Sequence, residues 1–409
     1  MAYFKTIDPS DIKTTTSYLN QLIDVLESMM SGSYNRRKYK VFITSSVDPG
    51  GITHSVTGGL FQTVYDQDYS LATANPVLAM SVGLFSGSDT VADAVTGIDS
   101  FGKLLFSTSS LQMREKISVY RENAAKLLGD ADLQFSSPFT SPGATDYIDE
   151  ALFLSFNRLF FRDQIKKETF AIQLYTSAST TAAVPTITTG SEAGRVIFSD
   201  IGAASATEVA YGGTVGNVVN SSNTDQKVGL VFYDSGIVVL DAKKIISGSQ
   251  LASGTISAVT GSVTPALSNK TIMGSGSFPD SNVNAKFIPD FFVSASIDDI
   301  VDHFAMTRMG SGSNTVTTFQ NITNINSSLV FCRATADEFN YSTNPTFTDT
   351  DGRIVVIDEG EETTQRSFTF ITSVGLYNAA GDLLAVAKLS RPAEKNNERD
   401  ITIRVRLDF

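Results

Sequence analysis

The sequence predicts an α+β fold that is mainly β: antiparallel β-sandwich domains with an amino-terminal helix and one or two further helices. Three observations predict it. Val, Ile, Phe and Tyr dominate an apolar fraction of 42%, and β-branched and aromatic side chains fit a pleated surface. Short apolar runs recur between turns rich in Asp, Gly and Pro. The last nine residues alternate, with Ile401, Ile403, Val405, Leu407 and Phe409 set against Thr402, Arg404, Arg406 and Asp408. That is the pattern of an antiparallel strand with one face on a core and one in water. Because Phe409 is apolar, the final residue is expected inside structure.

The elements follow in order. Asp8 can cap a helix that has Pro9 at its first position and Asp11 in its first turn. Ile12, Leu19, Leu22, Ile23, Leu26 and Met30 then share a helical face, and Gly32 ends it. The basic run Arg36-Arg37-Lys38-Tyr39-Lys40 is expected to be a solvated loop before a strand at Val41-Phe42-Ile43-Thr44. Phe61 to Tyr65 and Leu78 to Phe85 continue the strands. A second helix is expected from Ser110 to Leu128. Met113, Ile117, Tyr120, Ala124 and Leu127 share its apolar face, Glu122 and Lys126 pair at i,i+4, and Gly129 stops it. Tyr147 to Phe161 reads as a buried helix or strand. Val228 to Tyr233 and Ile237 to Leu240 flank the turn Asp234-Ser235-Gly236. Ser296 caps a short helix with Ile300, Phe304 and Met306 on its apolar side. Ile371 to Tyr377 and Leu383 to Leu389 form a hairpin around Asn378-Ala379-Ala380-Gly381-Asp382.

At 409 residues the chain suits two or three domains. The sequence divides at 1–175 (amino-terminal helix plus β-rich domain), 176–290 (a Ser/Thr/Gly-rich β domain with long loops) and 291–409 (a carboxy-terminal β domain). Between Lys244 and Lys286 only Lys270 and Asp280 are charged. Such a surface is cheap to desolvate against a neighbour, and it equally suits an outward loop region.

Composition excludes more chemistry than it suggests. A net charge of −12 repels phosphate backbones and argues against nucleic-acid binding. No apolar run approaches the roughly 20 residues of a membrane helix, and Met1 to Lys5 open no signal peptide. The single Cys332 rules out an internal disulfide framework and reads as an inert buried thiol in a strand, in a chain made in a reducing compartment. His54 and His303 are the only histidines, and no nucleophile elbow accompanies either. Asp298-Asp299-x-x-Asp302-His303 could place metal ligands on one helical face, but acids in a first turn also complement the helix dipole, and that reading is favoured. Asp349-Thr350-Asp351-Gly352 opens like a calcium loop without the closing glutamate, so a turn is expected. Carboxylate pairs for glycoside cleavage are set in three dimensions and stay open. The sequence thus assigns no catalytic, cofactor-binding or metal-binding residue.

Gly59-Leu60-Phe61-Gln62-Thr63-Val64-Tyr65-Asp66, Phe339 to Phe347, and Thr372 to Pro392 followed by Ile401 to Phe409 resemble a family of virion structural proteins of contractile-tailed bacteriophages, T4-like and marine types among them. The last stretch carries most of the likeness: Val374-Gly375-Leu376-Tyr377, then Leu384 to Pro392, then the terminal strand. Its order is similar to the end of the dimeric baseplate wedge subunit. The expected amino-terminal helix leading to Val41-Phe42-Ile43-Thr44 is similar to that subunit's start. The resemblance implies a sandwich-rich fold without catalytic residues, cofactors or metals. It also implies a homodimer contacting other wedge and tail proteins in the virion's tail baseplate, made in the host cytoplasm, with neither nucleic acid nor membrane insertion. The alternative function is a tail-associated receptor-binding protein or glycan depolymerase.

Overall fold

Strands dominate the computed structural model, which describes residues 4–43, 55–87, 111–139, 146–176, 195–246, 251–252, 270–271, 292, 295–310 and 313–409. In chain order they are β1 (Ile12–Leu26), β2 (Arg36–Ile43), β3 (Ser55–Tyr65), β4 (Pro76–Leu84), β5 (Glu150–Phe156), β6 (Gln164–Ile165), β7 (Ala171–Tyr175), β8 (Arg195–Ser199), β9 (Glu208–Ala210), β10 (Gly213–Asn220), β11 (Asn223–Phe232), β12 (Ile237–Asp241), β13 (Leu251–Ala252), β14 (Lys270–Thr271), β15 (Thr315–Ala334), β16 (Phe368–Tyr377), β17 (Leu383–Asn396) and β18 (Ile401–Asp408). Helices are few and mostly short: α1 (Glu27–Ser31), α2 (Leu111–Leu128), α3 (Arg158–Phe161), α4 (Ala242–Ile245) and α5 (Ile297–His303). The mainly β, α+β class is therefore as expected. Eleven strands join in one path, β1-β15-β7-β8-β10-β11-β12-β5-β4-β3-β2, to which β6 and β18 add beside β15 and β9 beside β10, while β13–β14 and β16–β17 are separate two-stranded sheets.

By compactness the chain divides into two units, one of Met1–Tyr18 with Asn324–Phe409 and one of Leu19–Thr323. The division expected from the sequence was placed at 175/176 and 290/291. The first and last stretches of the chain thus share a unit.

The larger unit is built around its central strands. All five residues of β12 are buried, and β12 pairs with β11 and β5 in register, Val239 lying between Leu230 and Phe153. Helix α2 packs on β4. Its Met113, Tyr120, Ala124 and Leu127 are fully buried, and the Tyr120 ring stands edge-on to Phe135 and Phe153. The approach is close enough that a Cβ at Gly83 would meet Tyr120 and Phe153 at under 3 Å, so only glycine fits there. Gly129, at φ +91°, ends α2 as the sequence predicts. The expected hairpin at Asp234-Ser235-Gly236 joins β11 to β12. Tyr147 to Phe161 resolves into β5 and the single turn α3. Of the charge-poor stretch 245–285, only Ile245, Ile246 and the two short strands β13 and β14 are described, so its expected surface role lies outside the described residues.

The smaller unit places β18 beside β15, with Val405 opposite Val330 and Ile403 opposite Cys332. The hairpin β16–β17 has Leu376 opposite Ala385 and Val374 opposite Ala387. Val330, Leu376 and Val405 form its buried cluster, with Cys332, Val374, Ala385, Ala387, Ile403 and Leu407 packed against it.

Three expectations are corrected. The amino-terminal helix is a strand. Asp8 does cap, accepting from the Ser10 N–H at 2.8 Å, but the cap holds one 3-10 turn, Pro9–Asp11. Thr14-Thr15-Thr16 are β-branched and stiff at χ1, which favours extension. Leu19 and Leu22 of the supposed apolar face are exposed, while Ile23 and Val25, two apart, are buried. Gly32 does end a helix, the five-residue α1. Second, Arg36 to Lys40 are not a loop but the opening of β2, and Arg36 is buried. Third, Phe409 is not enclosed. Its side chain is 75% exposed, although its backbone N–H donates to Asn326 O at 2.9 Å and Asn326 N–H donates to Phe409 O at 3.1 Å.

Candidate functional site

The acidic helix α5 is the place to look first. Ser296 caps it as expected, its hydroxyl accepting from the Asp299 N–H at 3.2 Å and donating to the Asp299 carboxylate at 2.7 Å. Asp298, Asp302 and Gln62 then form a closed network against β2 and β3. Asp298 Oδ2 accepts from the Gly59 N–H at 2.7 Å. The Gln62 amide, fully buried, donates to Asp302 Oδ1 at 3.1 Å. Arg36 donates to that same oxygen at 2.7 Å and to Gln62 Oε1 at 2.9 Å. Lys38 completes an ion pair with the other Asp302 oxygen. Burial works to raise the Asp302 carboxyl, but the bonds from Lys38 and Gln62 and the Arg36 and Lys38 charges outweigh it and hold it below the usual range. The oxygens a metal would use are occupied by protein donors. Among the described residues, no group of three or more His, Cys, Asp or Glu could hold a metal ion. The network is a lock that fixes α5 on β2 and β3.

His303 does not stand ready for acid–base work. It is buried, and its Nε2 accepts from Arg308 Nε at 2.9 Å. Burial and then the Arg308 charge hold it well below its usual value, so it stays neutral. His54 lies outside the described residues. Cys332 sits in β15 as expected but is half-buried, with burial and Asp11 pushing its thiol up, away from thiolate reactivity. Asp349 forms the expected turn, its Oδ1 accepting from the N–H groups of Asp351 and Arg353, and Gly352 adopts φ +82°.

Sequence reasoning missed two buried charge sites in the larger unit. Lys116 donates to the carbonyl oxygens of Phe292 at 2.6 Å and Ala295 at 2.7 Å, and burial brings its amine down to about 7. It lies three residues after Met113 and four before Tyr120, on the buried stripe of α2, and that spacing was the available signal. Glu150 and Asp241 are buried beside each other's strands. Lys243 reaches Glu150 at 2.9 Å and Asp149 at 3.0 Å, and Lys244 reaches Asp146 at 2.7 Å. Burial raises Glu150 to about 7 and Asp241 to about 6. These are charges held in the fold, each facing protein partners.

The feature that looks outward is in the smaller unit. The hairpin β16–β17 turns Leu376, Val374, Ala385 and Ala387 inward. The same hairpin leaves Phe370, Tyr377, Leu383, Leu384 and Val386 exposed, Leu384 most at 67%. Phe4 joins them, its ring edge-on to Tyr377 at 4.9 Å. The Tyr377 ring lies close over Gly375, where a Cβ would meet it at 2.9 Å. Side chains of this size, about half exposed, present roughly 600 Å² of apolar surface, the upper end of what a monomer leaves in water. The sequence carried a signal for it, since Leu383-Leu384-Ala385-Val386-Ala387 is unbroken apolar where a half-buried strand would alternate.

No protein-family model, no curated protein and no solved structure matches this chain.

Proposed function

We propose that this chain is a structural component of a contractile phage tail baseplate, a wedge subunit that forms a homodimer and links neighbouring wedge and tail proteins through protein–protein interfaces. The observation that carries the reading is the outward face of β16–β17. A unit that buries a cluster of three large residues while exposing Phe4, Phe370, Tyr377, Leu383, Leu384 and Val386 has its apolar surface arranged for a neighbour. The resemblance falls on the same strands, from Thr372 to Pro392 and from Ile401 to Phe409. Tyr, Phe and Leu anchors of this kind give contact area at low entropic cost. The interlocked acids of α5 fit the same reading, since Asp298 and Asp302 are held by donors from β2 and β3 and serve the fold.

Electron microscopy of intact particles tests this. Labelled chain is expected at the tail baseplate. Charge placed on the face, as in Leu384→Glu with Val386→Glu, is expected to remove it from particles while the purified chain still folds. Label on the capsid or neck, or normal incorporation of that variant, would overturn the reading.

A further inference from the structure

We propose that Lys395 and Asn340, both in the smaller unit, become joined by an amide bond between their side chains, which the folded chain forms by itself with release of ammonia. The bond staples β17 to the loop that follows β15.

Lys395 is fully buried and lies opposite Thr369 of β16. Its Nζ donates to Asn340 Oδ1 at 2.8 Å, to Asn396 O at 2.7 Å and to Ala336 O at 3.1 Å. All three acceptors are uncharged. Buried lysines are ordinarily paired with an acid, yet among the described residues no carboxylate forms an ion pair with this one.

The loop is held for the encounter. Phe339 adopts φ +55°, a left-handed conformation that a bulky residue keeps only where its surroundings hold it. Its carbonyl accepts from the Thr369 hydroxyl at 2.9 Å, so the cross-strand pair Thr369 and Lys395 grips Phe339 and Asn340 together. Asn340 Nδ2 donates at 2.6 Å to Ala336 O, the same oxygen that takes a bond from Lys395. One carbonyl thus gathers the amine and the nitrogen it displaces. A donor 2.8 Å from Oδ1 stands about 3.5 Å from Cγ, the outer limit of a near-attack distance. Rotation about the Asn340 Cβ–Cγ bond, a broad torsion, turns the carbonyl face towards Nζ.

Asp337 takes the ammonium proton. Its carboxyl is held below the usual range, first by the Thr335 hydroxyl and also by the Lys395 charge. The neutral Nζ then attacks Asn340 Cγ. The Cγ–Nζ bond forms, one Nζ proton moves to Nδ2, the Cγ–Nδ2 bond breaks and ammonia leaves, to which Asp337 gives up its proton. No other reactant is consumed. The smaller unit buries a cluster of three large residues, and a single cysteine cannot form a disulfide within the chain. Units with small cores are commonly stapled, and a link between positions far apart in sequence constrains the unfolded chain.

Mass spectrometry of the purified full chain, unfolded for the measurement, tests this. The wild type is expected about 17 Da below the mass of its sequence, the loss of one ammonia. Trypsin should fail to cut after Lys395, so that the peptides 334–353 and 389–399 emerge as one branched species. Lys395→Met and Asn340→Ala should each show the mass of their own sequence and separate peptides. Asp337→Asn should lower the linked fraction of freshly made chain at least about tenfold. Full mass in the wild type, with cleavage after Lys395, overturns the proposal. Loss of ammonia without branching marks an asparagine closing on its own backbone and overturns it equally. An unchanged linked fraction in Asp337→Asn overturns Asp337 as the proton acceptor. The deciding measurements are made on the wild type, so a variant that fails to fold does not blunt them.

Discussion

The two units spend their apolar residues in opposite ways. Fifty described residues of Leu19–Thr323 form one buried cluster. In the unit made by the two ends of the chain, the corresponding cluster has three. The difference is one of placement, since the smaller unit has apolar side chains enough: it turns Tyr377, Leu383, Leu384 and Val386 to water and keeps small residues, Ala385 and Ala387, on its inner face. Large residues inside contribute transfer and packing energy to the fold. The same residues outside contribute nothing until a partner covers them. The larger unit holds its apolar residues in one core; on the assembly proposal, the smaller unit gains stability when its exposed apolar face is covered.

Core truncation is the largest effect and the sharpest test of that contrast. Phe153 touches the rings of Tyr120 and Phe135 at the centre of the larger unit, so Phe153→Ala should cost about 3–5 kcal/mol. Leu376→Ala in the smaller unit should cost about 2 kcal/mol, the low end for a large-to-small change, because the surrounding layer is thin and can collapse. Calorimetry of the full chain reads both. Each substitution is expected to lower a different transition, that of the smaller unit melting first. A single transition lowered equally by both would break the comparison.

The lock on α5 comes next. Asp302→Asn keeps the shape and removes the charge, leaving the buried Arg36 guanidinium against a neutral amide. A fully buried pair broken on one side costs more, but Asp302 keeps about a quarter of its side chain in water, so about 2 kcal/mol is expected. Urea unfolding checks it. A loss under about 0.5 kcal/mol would mark the pair as a surface contact of the ordinary kind and remove the argument that these acids serve the fold.

Much of this was legible in the sequence, and the failures have physical causes. Strands β11, β12, β16, β17 and β18 and helix α2 follow from local pattern, because their side chains alternate or recur with the period of the structure they form. The amino-terminal segment misled because Ile12, Leu19, Leu22, Ile23 and Leu26 satisfy a helical period while the Thr run and its place beside β15 decide for a strand. Arg36 looked solvated because its partner, Asp302, lies 266 positions away. The unbroken apolar run Leu383 to Ala387 signalled an apolar hairpin, but not where it would be covered: periodicity tells which residues share a face, and it does not tell which face meets water.

The buried charges make the comparison testable by pH. In the larger unit, Glu150 rises from 4.5 to about 7 and Asp241 from 3.8 to about 6 through burial. The folded chain therefore holds protons that the unfolded chain releases between about pH 4 and 7, and stability from these groups falls as pH rises through that window. Lys116, brought from 10.5 to about 7, has the opposite sign: its contribution grows from pH 7 towards 10.5 and is lost as pH falls through 7. His303, kept neutral, also loses stability as pH falls below 6.5. Asp337, Glu338 and Asp408 of the smaller unit are all lowered by hydrogen bonds and act only in acid. Between pH 6 and 9 the larger unit's melting temperature should therefore move and the smaller unit's should not. Glu150→Gln should flatten the acid side of that curve and Lys116→Met the alkaline side, both read by thermal scans at fixed ionic strength.

The smallest effect is expected at Phe409, and it bears on how the smaller unit is held. If the terminal strand were enclosed, residues appended after Phe409 would disturb folding. The ring is instead exposed, and what fixes the strand end is the pair of backbone bonds to Asn326, which an appended residue leaves in place. A short polar tag should thus change stability by less than about 0.5 kcal/mol, as for a surface change. Asn326→Pro is the contrast. It deletes the N–H that donates to Phe409 O and should loosen the last strand measurably, seen as faster hydrogen exchange from Val405 to Asp408. A tag that melted the smaller unit by several degrees would mean that the ring is covered in solution, and it would return Phe409 to the core from which its exposure removes it.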